Sequence, residues 1–293
     1  MSLKRFFKIN IPFFVLFSSI VILFGKENDV LVVTHFSKVL GKEKTFRIYI
    51  PDKQKPNELF PILYVLHGAY CDSSAWIEQT KIEELAEDYR MILVFPDGEQ
   101  FGWYVDSPYE KDSQYEAYII KELIPLIDNK FPTIAKREGR SIMGASMGGH
   151  GAMTLAEKHP ELFCSVSSFF GILKLTNHPD KWNIAEKLGL YEENKMLWEE
   201  NSAYEQAEKL KGKDIKIFFD CGKDDTETGA IFDNRAFDQR LTELSIPHIW
   251  KEKEGGHNAE FLNQNLKEHL DFHWNIMKRA RNNIKLETLN PKH

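Results

Sequence analysis

Between residues 141 and 150 the chain reads SIMGASMGGH, and this stretch restricts the possible folds more than any other. Ser141-Ile142-Met143 suits a short buried strand, and Gly149 to His159 suits a helix stopped by Pro160. Ser146, at the junction, is the centre of Gly144-Ala145-Ser146-Met147-Gly148, the G-x-S-x-G frame of a nucleophile elbow. In such a turn the strand and the helix nearly collide. The positions two before and two after the serine must therefore carry almost no side chain, and both are glycine. Met147 opens the helix and aims its N–H at whatever the serine attacks.

The rest of the chain supplies the sheet that such an elbow needs. Leu31 to Ser37 and Thr45 to Pro51 form an edge hairpin with Gly41 in the turn. Pro61 to Leu66, Met91 to Phe95, Cys164 to Phe170 and Asp214 to Asp220 are apolar runs of strand length, and Ile249 to Lys253 is the last strand. Helical spacing appears between them, at Ile82, Leu85 and Ala86, and again at Tyr118, Leu123, Leu126 and Ile127, where Pro125 should bend the helix. Leu262, Leu266, Leu270, Trp274 and Met277 mark a closing amphipathic helix, and the last dozen residues read as frayed. This alternation predicts an α/β fold with a mostly parallel central sheet and helices on both faces, residues 26–293 forming one domain. Ile172 to Lys211 stands outside the alternation. It reads either as a helical insertion over the active edge, with Trp182, Tyr191 and Trp198, or as a surface excursion whose aromatics fold back on their own helices.

Residues 1–25 have another character: Lys4, Arg5 and Lys8 precede an uncharged run from Ile9 to Gly25. That layout predicts a signal peptide or an N-terminal membrane anchor, and so an exported protein that is either free or attached to the membrane. The net charge of −6, with no basic stripe, argues against nucleic acid as a partner. Cys71, Cys164 and Cys221 lack a framework spacing and read as buried thiols.

Ser146 needs a base, and ten histidines compete for that place. His257, in Gly255-Gly256-His257-Asn258, follows the last strand and precedes the final helix, so its loop can carry an imidazole over the serine. His269 and His273 ride on the helix itself and read as surface or satisfied packing residues. The base needs a carboxylate in turn, and Gly222-Lys223-Asp224-Asp225 leaves the same sheet edge, with Asp225 favoured over Asp224. Two backbone donors must meet the developing oxyanion: Met147, and Ala69 in the His67-Gly68-Ala69-Tyr70 loop, or Tyr70 if that turn is wider. His67 itself is expected to tie the loop down. Trp103 and Tyr104, in the polar loop after a central strand, are expected to bind substrate.

HGAYCDSSAW, FPDG with WYVDSP, GASMGGHGAM, FDCGKDD and GGHNAEFL, in this order, resemble the putative-esterase branch of the α/β-hydrolases over about Val30 to Asn275. That branch includes feruloyl and acetyl-xylan esterases, S-formylglutathione hydrolase and mycolyltransferases. The chain order Ser146, Asp225, His257 is the order of that superfamily. The resemblance implies acyl-ester hydrolysis with neither metal nor cofactor and leaves the substrate open; predicted export, together with the Trp103-Tyr104 loop, favours short-acyl or feruloyl esters of saccharides. Alternatives are acyl transfer to a sugar hydroxyl, an S-formylglutathione hydrolase type of thioesterase, and, in a different class, a non-catalytic binding protein on the same fold.

Overall fold

The computed structural model describes residues 23–27, 30–52 and 55–289. Nine strands form one sheet: β1 (Leu23–Glu27), β2 (Val30–Ser37), β3 (Lys42–Tyr49), β4 (Ile62–Leu66), β5 (Ile92–Pro96), β6 (Arg140–Ala145), β7 (Ser165–Phe169), β8 (Lys216–Gly222) and β9 (Ile249–Lys253), in the order β1-β2-β3-β5-β4-β6-β7-β8-β9. The first three strands and the β3–β5 pair are antiparallel, and every pair from β5 to β9 is parallel. The expected mostly parallel sheet is therefore present, with Gly41 at φ 68° in the turn of the β2–β3 hairpin, and β1 rather than the hairpin takes the edge. Every residue of β4 to β7 is buried, as strands covered on both faces must be. Most of the apolar run at residues 1–25 lies outside the described residues. Its last three, Leu23 to Gly25, belong to β1 and pair with Thr34 to Val32.

The helices are α1 (Ala75–Gln79), α2 (Ile82–Ala86), α3 (Tyr115–Ala117), α4 (Ile124–Lys130), α5 (Met147–Lys158), α6 (Ile184–Leu188), α7 (Lys195–Glu200), α8 (Ala203–Gln206), α9 (Ala230–Glu243) and α10 (Ala259–Leu289). A π-helical stretch, Tyr118–Leu123, joins α3 to α4 just ahead of Pro125, where the missing N–H breaks the α-helical ladder. The bend expected at Pro125 takes this form. The closing helix continues to Leu289, well past the point where fraying was expected.

α5 and α10 cover opposite faces of the sheet. Ser168 of β7 points at Gly149 of α5, whereas Ser165, Ser167 and Phe169 point at α10. On that second face His269 and His273 are fully buried. His269 Nδ1 bonds Ser167 Oγ at 2.8 Å, and His273 bridges Ser165 Oγ and Ser167 Oγ, each at 2.8 Å. The packing alternative thus holds for both. Two histidines four apart on a helix meet two serines two apart on a strand because ~6 Å of helical rise matches ~6.6 Å of strand.

Burial lowers the pKa of His35, His150, His269 and His273 below the usual value, that of His150 to about 4. These imidazoles are neutral in the fold but take up protons once unfolded, so their share of stability is present above about pH 6.5 and is lost as the pH falls. Glu157 and Asp106, raised by burial, act in the opposite sense, two groups against four. The melting temperature should therefore drop between pH 6.5 and 5, before carboxylates titrate in the unfolded chain. A flat profile by calorimetry over that window contradicts neutral burial.

Candidate active site

The site forms where β4, β6, β8 and β9 end, because parallel strands deliver all their C-terminal loops to one edge. Ser146 sits at φ 57°, ψ −118°, the strained turn between β6 and α5. A Cβ on Gly144 would stand 2.2 Å from the Gly148 carbonyl oxygen, and one on Gly148 would stand 2.3 Å from that of Leu66. The two glycines are therefore required by backbone meeting backbone, as the motif predicts.

The acid and histidine loops pack on each other in the same way. A Cβ on Gly222 would lie 2.1 Å from the Gly255 carbonyl oxygen, and the Lys223 and Asp224 N–H groups donate to the carbonyls of Lys253 and Gly255. Asn258 then caps α10, its Oδ1 accepting the Phe261 N–H at 3.0 Å. Between these loops His257 Nε2 lies 2.8 Å from Ser146 Oγ, and His257 Nδ1 lies 2.6 Å from Asp225 Oδ2. Asp225 is buried, and its second oxygen accepts the Thr228 hydroxyl. Asp224, one residue earlier, is exposed. Phe170 leans on the imidazole with ring centroids 4.2 Å apart.

The loop after β4 brings Ala69 to the serine. His67 is buried and accepts the Gly98 N–H at Nε2 (2.9 Å), which leaves Nδ1 to donate to the Gly68 carbonyl (2.8 Å). That pairing leaves His67 as the tie expected of it. The Tyr70 N–H is taken by the Gln100 carbonyl at 3.1 Å. Of the two residues considered for the second oxyanion donor, Ala69 has the N–H with no acceptor among the described residues. Met147 N–H lies in the first turn of α5, where helical geometry provides no partner.

The cleft over Ser146 has a volume of about 320 Å³. Its lining comes from residues 67–71, 75, 76, 79 and 80, from His257, Asn258, Ala259 and Leu262, and from Phe170, Trp182 and Thr228. Trp103 and Tyr104 are absent from this lining, which corrects the expectation that they bind substrate. Both are buried to 1% exposure. Trp103 Nε1 donates to the Trp182 carbonyl and its ring meets His150 edge-on, while Tyr104 donates to the His67 carbonyl and fills the space left by Gly98 and Gly151. They hold up the site from below, since an aromatic with a polar tip can be buried wherever a carbonyl takes its hydrogen. Trp103→Ala should accordingly lower stability by about 3–5 kcal/mol, as loss of a large buried ring does. Thermal melting reads this directly, and a change in KM with no change in melting temperature would contradict it.

Other aromatics of the cleft escaped the sequence reading. Phe170 was read only as part of a strand and in fact follows β7, and Tyr70, 68% exposed, was considered only as a backbone donor. Trp182 does reach the cleft from the segment between β7 and β8, but Trp198 is buried against Tyr191, with ring centroids 5.6 Å apart. The segment is thus part lid and part self-packed excursion. Cys164 and Cys221 are buried, as expected, whereas Cys71 is half-buried and lines the cleft.

A mostly parallel sheet with a serine elbow, an acid loop and a histidine loop at one edge defines an α/β-hydrolase fold. The chain belongs to the family described as "Putative esterase", whose model matches residues 37–273, and it is a carboxylic ester hydrolase. It is 27% identical to an S-formylglutathione hydrolase of Bos taurus over 83% of this chain and 92% of the relative. With an acetyl esterase of Caldicellulosiruptor saccharolyticus the identity is 28%, over 80% of this chain and 94% of the relative. Among solved structures, a ferulic acid esterase superposes with a TM-score of 0.72 at 26% identity, covering 84% of this chain and 98% of that one.

Proposed function

We propose that the protein hydrolyses short-acyl or feruloyl esters of saccharides, with Ser146 as nucleophile, His257 as base and then acid, and Asp225 as its orienting carboxylate. The observation that carries the mechanism is the unbroken hydrogen-bond chain from Asp225 through both ring nitrogens of His257 to Ser146. Ser146 Oγ attacks the ester carbonyl as its proton passes to His257 Nε2. The carbonyl oxygen becomes an oxyanion between the Ala69 and Met147 N–H groups. Collapse expels the alcohol, which takes the proton back from Nε2, and the acyl group stays on Ser146. Water then repeats the sequence: it gives a proton to His257 and releases the acid.

The substrate class rests on charge and shape. Among the described residues that line the cleft there is no lysine or arginine, and the adjoining cavity beyond Tyr70 and Cys71 carries Asp72, Glu78, Asp97 and Glu99. A thioester of glutathione brings two carboxylates into that field, whereas a saccharide brings none. Phe170 and Trp182 offer flat apolar faces to a small or planar acyl group. Export through residues 1–25 belongs to the same reading, since it would carry the enzyme to extracellular saccharide esters. The test is a side-by-side panel of kcat/KM. Acetylated or feruloylated saccharides should exceed S-formylglutathione, and a clear preference for the thioester overturns the substrate assignment while leaving the mechanism standing.

A further inference from the structure

Asp225 can orient His257 only if its own carboxylate is held, and its two oxygens are held differently. Oδ2 faces His257 Nδ1 at 2.6 Å and has the Cys221 thiol, a weak donor, at 3.8 Å. Oδ1 accepts the Thr228 hydroxyl, and no other donor among the described residues reaches it. Asp225 is only 2% exposed, so water has little access as a substitute donor.

The Thr228 hydroxyl is itself placed by the backbone. The Ala230 N–H donates to Thr228 Oγ1 at 3.1 Å, and an ionised carboxylate can only accept, so the hydroxyl hydrogen goes to Asp225. Ala230 is the first residue of α9, where helical geometry leaves the N–H groups without partners and favours negative charge nearby. Donors thus converge on the carboxylate from two directions, the α9 N-terminus through Thr228 and the imidazole of His257. Gly229, at φ 88°, makes the turn between Thr228 and α9, and a Cβ there would stand 2.9 Å from His178 Cε1. The turn that sets Thr228 beside Asp225 therefore needs a residue without a side chain.

We infer that Thr228 is a positioning residue for catalysis: its hydroxyl fixes the Asp225 carboxylate, so that Oδ2 stays on His257 Nδ1 while the proton passes between Ser146 and the substrate. The terminal torsion of a carboxylate is otherwise soft. The inference rests on the proposed triad. Thr228 also lines the cleft, so the variants are chosen to separate a bond to Asp225 from a contact with substrate.

The experiment uses the full chain and p-nitrophenyl acetate, an ester that tests the triad whatever the natural substrate is. Thr228→Val keeps the shape of the side chain and removes the hydroxyl, whereas Thr228→Ser keeps the hydroxyl and removes the methyl group. Val should lower kcat about tenfold with KM within about twofold, as loss of a hydrogen bond to a buried charged group does, and Ser should stay within about threefold of wild type. In an Asp225→Asn background, read by the rate of fluorophosphonate labelling, Val should cost less than about twofold, because the carboxylate it served is gone. Should Thr228→Val fail to fold, as its melting temperature would show, Thr228→Ala removes the same hydroxyl and should lower kcat in the same direction, with Ser again restoring it. The inference is overturned by a kcat in Val close to that of wild type, by a change in KM alone, by a loss in Ser as large as in Val, or by an undiminished loss in the Asp225→Asn background. In each of these cases Ser146-dependent hydrolysis by the wild type leaves the mechanism standing. Its absence in the wild type overturns the mechanism and this inference with it.

Discussion

Ser146→Ala should abolish labelling by a fluorophosphonate probe and lower kcat on a short p-nitrophenyl ester by about 10⁶, to the background of the oxyanion donors. The effect is this large because nothing else can take over the serine's place. Its Oγ is the atom 2.8 Å from His257 Nε2, held at a φ of 57° by a turn that the glycines on either side make possible. The alanine differs by one oxygen and leaves the turn as it is, so the melting temperature should hardly move. Labelling that survives the substitution would assign the nucleophile elsewhere.

The second large effect separates two neighbouring acids. Asp225→Asn should reduce kcat by about 10⁴, since an amide can donate to Nδ1 and so stabilise the wrong tautomer of His257. Asp224→Asn should cost little. Asp225 is buried, with one oxygen on His257 and the other on the Thr228 hydroxyl, whereas Asp224 is exposed and contributes a backbone N–H, which asparagine retains, to the Gly255 carbonyl. Kinetics of the two variants at equal active-site concentration rank them, and the reverse order would mean that the acid loop turns the other way.

These two expectations differ in how far the sequence could carry them. The elbow was legible because the turn itself is short: Gly144 is needed by a backbone collision with Gly148 four residues on, while Gly148 is needed by the close approach of Leu66 from the neighbouring strand β4. The partners of Ser146 were legible to the nearest loop, since strands β8 and β9 had to end at the same edge as β6. The sequence favoured Asp225 over Asp224, and the physical reason lies in the path of the turn after β8, where Gly222 packs against Gly255 from another loop.

Trp103 and Tyr104 show the opposite case. A loop rich in aromatics after a central strand looks the same in sequence whether its rings face a ligand or a neighbouring carbonyl. The difference here is made by the Trp182 and His67 carbonyls, 79 and 37 residues away, which accept their polar hydrogens. His269 and His273 were open to either reading for the same reason, because their buried partners Ser165 and Ser167 stand about a hundred residues earlier on β7.

The sequence by itself determined the sheet, the elbow and the loops that carry the acid and His257, because strand and helix periodicity and a steric turn act over short spans of chain. Only the tertiary structure decided which aromatics face the cleft and which of Ala69 and Tyr70 keeps a free N–H. Burial and hydrogen-bond saturation are properties of what packs against a residue, and for these positions the packing partner comes from a distant part of the chain.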